Sequence, residues 1–191
     1  LSSLDLGRKG SSRDADVGYS DLMLWSRTDV RVRRARMMDA QSLSDVHGRS
    51  WLSAYRGIIP HAQLKSLIDR RTAAWWRGAI RSRDTVMVLE VAGEVVGYAT
   101  CGPSRTNRRF EGEIYELYVD PNYQGLGFGE YLFEGCRAVL DERCHRGLIV
   151  WVLSDNHPAR RFYEARGGRA IAEMDERLGT VSLSKRAYTW D

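Results

Sequence analysis

Two hydrophobic rhythms alternate along the chain, and each predicts its own element. "VRVRRAR" from Val30 alternates apolar and basic residues, which predicts a first strand. From Asp39 the spacing lengthens to that of a helix through Leu43, Val46, Trp51 and Tyr55, with Asp39 as its expected cap. Gly57 and Pro60 end it, and a second helical stretch is expected through Leu64, Leu67 and Ile68 and on through Trp75, Trp76 and Ile80. "TVMVLEVAGEVVGYATCG" reads as a hairpin around "AGE", and "EIYELYV" as a strand closed by "DPN". After "YQGLGFGEYL" a helix is expected to about Cys144, with Leu132, Cys136, Val139 and Leu140 on one face. "LIVWVL" is a continuous apolar run, expected to be buried on both faces. "SDNHPARRFYEARGG" reads as a helix with a glycine stop, and "RAIAEM" and "TVSLSKRAYTW" as two last strands. The order β-αα-ββ-β-α-β-α-β-β predicts one mixed α/β domain over residues 30–191. Residues 1–29, rich in Ser, Gly and Asp, read as an N-terminal extension or an added leader. Its "YSDLMLW" is apolar enough to dock on the domain.

Composition narrows the classes. A chain of 191 residues, 43% hydrophobic, suits one domain with a full core. No apolar run approaches the roughly 20 residues needed to span a bilayer, and the first residues carry no secretory signal. Cys101, Cys136 and Cys144 form no CxxC pair, which points to a reducing, cytoplasmic setting and away from structural zinc. The four histidines are scattered, with no metal-binding motif, so no metal is expected. The formal charge of +4 comes almost wholly from Arg, and acidic residues are interspersed. A solvated basic surface accounts for "RVRRAR" and "RTNRR" better than a nucleic-acid or membrane partner does.

The glycines of "YQGLGFGEYL" need a reason, because they sit where a strand hands over to a helix. A dinucleotide fingerprint requires GxGxxG, but Gly125, Gly127 and Gly129 put the third glycine one position early. A P-loop requires GK[ST], but Glu130 and Tyr131 follow Gly129. Two readings remain. Backbone N–H groups at a helix start can cradle a phosphate if no side chain blocks the approach, or the segment is a tight turn with no ligand.

The neighbours of the turn add a resemblance. "VDPNYQGLGFGEYL" resembles the acyl-CoA motif of the GNAT N-acetyltransferase superfamily, [Q/R]xxGx[G/A], with Gln124, Gly127 and Gly129 in place. "SDNHPARRFYEARGG" resembles the superfamily's second motif, "LIVWVL" lies between the two, and "SWLSAYRGIIP" is similar to the first helical region of one bacterial branch. The resemblance covers about residues 30–190. It implies a central, mostly antiparallel sheet with a splayed strand pair, flanked by helices. It also implies acetyl-CoA as cosubstrate and a small-molecule or peptide amine as acceptor, by direct attack in a ternary complex. A non-catalytic acyl-CoA-binding or sensing module is the alternative.

The resemblance further assigns residues. Gln124, Gly125, Leu126, Gly127, Phe128 and Gly129 would hold the pyrophosphate. Leu117, Tyr118 and Val119 would offer strand backbone to the pantetheine arm. Tyr163 would protonate the leaving thiolate, against the plainer reading of a core aromatic. Glu113 stands where some members carry their base, and Glu116, expected to point the opposite way, is the second candidate. Asn156 binds pantetheine or caps a helix, and Trp51 and Tyr55 line the acceptor pocket or pack in a core. A homodimer is expected, on the premise that "VSLSKRAYTW" lies near an open sheet edge.

Overall fold

Seven strands form one sheet in the order β1-β2-β3-β4-β5-β7-β6, in a computed structural model that describes residues 29–106, 109–178 and 181–191. The strands are β1 Val30–Arg34, β2 Thr85–Val91, β3 Glu94–Pro103, β4 Gly112–Val119, β5 Leu148–Leu153, β6 Arg169–Leu178 and β7 Val181–Trp190. The helices are α1 Ala40–Tyr55, α2 His61–Asp69, α3 Ala73–Ile80, α4 Phe128–Glu142 and α5 His157–Glu164. Every pairing is antiparallel except β4 with β5. Docking of "YSDLMLW" falls outside the described residues.

Periodicity places the two layers. Leu132, Phe133, Cys136, Val139 and Leu140 of α4 are buried against Ile114, Val119 and Val150 of the sheet. On the opposite face Leu43, Val46 and Trp76, from α1 and α3, pack on Val86, Val88 and Tyr98. Cys136 is core packing, as expected. His47 is also buried there, with its Nδ1 2.8 Å from the Tyr98 hydroxyl. Burial, helped by the charge of Arg71, holds the His47 pKa down to about 3, so it packs as a neutral ring.

Several expectations change in detail. Asp39 does not cap α1 with its side chain. Its carboxylate accepts from the Arg36 backbone N–H at 2.6 Å and from the Arg33 guanidinium at 2.7 Å. The ion pair and the short 3-10 turn before α1 together fix the chain reversal. The single helix expected from Leu64 to Ile80 is two, because Thr72 accepts from the Trp75 N–H and starts α3 afresh. The hairpin turn is two residues, Ala92 and Gly93, both at positive φ, and Glu94 already belongs to β3. β7 is internal, between β5 and β6, so the edge strand beside it is β6, with β1 at the other edge.

Two irregularities in β4 shape the site. Thr100 pairs with Glu116 and Cys101 with Ile114, so Tyr115 is an extra, bulged residue. Beyond the bulge the side-chain alternation is shifted by one. Ile114 and Leu117 face α4, while Glu116 and Tyr118 face the helices α1 and α3. Glu113, opposite in direction to Ile114, therefore shares a face with Glu116, contrary to the simple alternation expected. The second irregularity is that β4 pairs with β5 only from Gly112 to Ile114, after which the two strands separate.

Candidate active site

The gap between β4 and β5 opens into a cleft of about 510 Å³. Its walls include Glu116, Leu117, Tyr118 and Val119 from β4, Trp151 and Val152 from β5, Tyr55 from α1, and Asn156 and Tyr163 around α5. Its floor reaches Gln124, Gly125, Gly127, Phe128 and Gly129. The topology thus gathers most of the residues picked out in the sequence, although they come from four separate segments. It leaves Glu113, Leu126 and Trp51 out of the cleft lining.

The glycine turn divides its labour. Gly125 and Gly127 have φ of +79° and +81°, the left-handed region that other residues adopt at a cost. A Cβ on Gly127 would meet nothing within 4 Å, so the space beside it is open to a ligand. At Gly129 the same Cβ would meet the Phe162 ring at 3.0 Å. Gly129 is therefore bare so that α4 can pack on α5, and not only to clear a phosphate, as the sequence reading had it. The backbone N–H groups of residues 125–129 find no backbone acceptor among the described residues. They lie at the start of α4, where the helix dipole favours an anion.

Gln124 sends its side-chain N–H to the Val119 carbonyl at 2.9 Å, which ties the loop to the end of β4. Asn156 accepts from the Ala159 N–H at 3.2 Å, capping α5, and also lines the cleft. Arg166 is a cleft residue that the sequence reading missed. It stacks 3.7 Å over Phe162 and lies 3.3 Å from Glu130 in the first turn of α4. Its only local signal was an Arg just before the glycine stop.

The titratable groups are sorted by burial. Tyr163 is 5% exposed among Phe133, Phe162, Tyr188 and Trp190, and its hydroxyl has no hydrogen-bond partner among the described residues. Burial raises its pKa well above that of an ordinary phenol, so it keeps its proton at neutral pH. The Tyr55 and Tyr118 hydroxyls lie 2.5 Å apart, and burial pushes Tyr55 up to about 12. Trp51 packs against His47, Tyr55 and Tyr118, as a core residue would.

The two glutamates differ in what holds them. Glu113 is buried and accepts from the Arg105 backbone N–H at 2.7 Å and from Ser104 and Thr106 at 3.3 and 3.4 Å, so it pins the β3–β4 loop. Glu116 accepts from Arg71 at 2.7 Å through Oε1, while its Oε2 is buried without a partner. Burial raises the Glu116 pKa, and the Arg71 charge works against that rise. Among the described residues no group of His, Cys, Asp and Glu is arranged to hold a metal ion, and no helix is long and apolar enough to cross a membrane.

If the turn holds a phosphate, as the resemblance implies, Gly127→Val should weaken acetyl-CoA binding about tenfold or more, ~1.4 kcal/mol. Calorimetric titration checks this, with a thermal melt to confirm folding. Unchanged affinity would remove the phosphate cradle.

Comparison with known proteins gives the same fold and a family. The Acetyltransferase (GNAT) family model matches residues 41–168. An uncharacterized N-acetyltransferase, YuaI, of Bacillus subtilis is 31% identical over 84% of this chain and 92% of its own length. A PaiA N-acetyltransferase of Thermoplasma acidophilum, solved in complex with coenzyme A, superposes with a TM-score of 0.65 at 17% identity, over 82% of this chain and 97% of that one. YncA of Salmonella typhimurium, a putative acetyltransferase solved with acetyl-CoA, gives 0.62 at 21% identity, over 85% and 93%. With a cleft that ends in unpaired backbone amides and with these matches, the chain belongs to the GNAT family of acetyltransferases.

Proposed function

We propose that the chain moves an acetyl group from acetyl-CoA to a primary amine, both bound at once. The observation that carries this reading is the placement of Tyr163 and Glu116 in the walls of one cleft, where β4 and β5 part. The glycine turn would hold the pyrophosphate on its backbone N–H groups. The free backbone edge of β4 beyond Ile114 would pair with the pantetheine arm. The amine nitrogen attacks the thioester carbonyl, the new C–N bond forms and the C–S bond breaks. The amine's proton passes to Glu116, directly or through one water, and the thiolate takes the Tyr163 proton. Glu116 suits the base role better than Glu113, because its Oε2 is unspent and Glu113 is tied into a loop. The test is release of coenzyme A thiol from acetyl-CoA with a panel of primary amines. Acetyl-CoA binding with no release across the panel would favour the sensing module instead.

The same reading includes a cytoplasmic homodimer. Strand β6 leaves one sheet edge open with Ile171 and Met174 exposed, and such edges need cover. Light scattering at micromolar concentration should give about twice the chain mass of 21.8 kDa, and a single-chain mass would remove the dimer.

A further inference from the structure

A second cavity, of about 490 Å³, adjoins the cleft and shares Tyr115 and Glu116 with it. Its other charged lining comes from Arg71, Asp84 and Arg105, beside Trp75, with Ser82 and Thr100 as neutral polar neighbours. Both guanidinium groups are held in place. Arg71 stacks 3.8 Å over the Trp75 ring and donates to Glu116, while Arg105 stacks 3.5 Å over Tyr115 and pairs with Asp84. Arg105 spends one Nη2 bond on Asp84 and lies against Tyr115, and its side chain is 58% exposed, so part of its guanidinium stays open to a ligand at the cavity mouth. A guanidinium carries five donors, so a fixed fork remains to be filled. At the other end the buried Oε2 of Glu116 lacks a donor. An unmet buried acceptor is costly, and an incoming N–H would satisfy it.

We propose that this cavity is the acceptor site and that it selects amines that also carry a carboxylate, as an α-amino acid does. The assignment rests on the transferase reading above. The four charges of the cavity, two of each sign, complement a zwitterion. The amine lies towards Glu116, the group shared with the acetyl-CoA cleft. The carboxylate takes the open fork of Arg105, whose plane Asp84 and Tyr115 fix beforehand. Such a bidentate pair is among the stronger polar contacts. An amine without the carboxylate leaves that fork unfilled.

The experiment measures kcat/KM by thiol release for L-phenylalanine, L-phenylalaninamide and 2-phenylethylamine. The amide has the less basic amine, so solution chemistry alone favours it over the acid. The site should reverse this, with the acid preferred about tenfold or more and the difference carried by KM. Arg105→Gln should shrink the acid-to-amide ratio about tenfold, and Arg105→Lys should restore part of it. Equal use of acid and amide overturns the zwitterion site but leaves the transferase intact. A preference that survives Arg105→Gln overturns the placement of the carboxylate. No thiol from any of the three, nor from a wider amine panel, brings down the transferase reading and this one with it.

Discussion

Tyr163→Phe should lower the turnover of acetyl transfer by roughly 10²-fold or more, the usual scale for a positioned acid. The substitution removes one hydroxyl and keeps the ring. That ring packs edge-to-face or stacked against Phe162, Tyr188 and Trp190, and those contacts survive. The hydroxyl makes no hydrogen bond among the described residues, so neither the melting temperature nor acetyl-CoA affinity should move much. The expected defect is thus confined to the chemical step, and kcat should fall with KM for acetyl-CoA almost unchanged. Burial keeps the phenol protonated at neutral pH, so the proton to be donated is in place, while the kinetics of the Phe variant decide whether it is used. Full turnover in the Phe variant would make Tyr163 a core aromatic and nothing more.

What the sequence revealed and what it hid follow from range. The strand-to-helix turn at Gly125 and Gly127 is local. Its φ angles depend on a few consecutive residues, and the glycines announce it. The apolar periodicity of α4 is equally local, and Leu132 through Leu140 fall where the pattern put them. The bulge at Tyr115 is different. Nothing in "EIYELYV" marks it, because it arises from the pairing of β4 with β3, and it overturned the expectation that Glu113 and Glu116 point apart. The break between α2 and α3 was signalled by Thr72, a good cap, but helical spacing ran through it and masked the signal. Strand order has no local trace at all, so β7 read as near an edge while lying inside the sheet. The second cavity was least legible. Its walls join Arg71, Asp84, Arg105 and Glu116 from four stretches of chain, and each alone reads as an ordinary charged residue.

Glu116→Gln should reduce activity at neutral pH by roughly 10²–10⁴-fold, the range for loss of a positioned base. The pH profile identifies the cause. With Glu116 as proton acceptor, activity rises with pH as this carboxyl loses its proton. Because burial raises its pKa against the pull of Arg71, that rise should be centred above the ordinary carboxylate value of about 4.3. The Gln variant should lose this limb and recover part of its rate only at high pH, where the amine sheds its proton unaided. Glu113→Gln should behave differently. It weakens the bonds to Ser104, Thr106 and the Arg105 backbone, so the loop that carries Arg105 loosens. The expected result is a higher KM for the acceptor and an acid limb left in place. The two variants are therefore told apart by which parameter moves. If Glu113→Gln abolishes the acid limb and Glu116→Gln does not, the base is Glu113. The unpartnered Oε2 of Glu116 would then be a binding contact for the amine and not its proton acceptor.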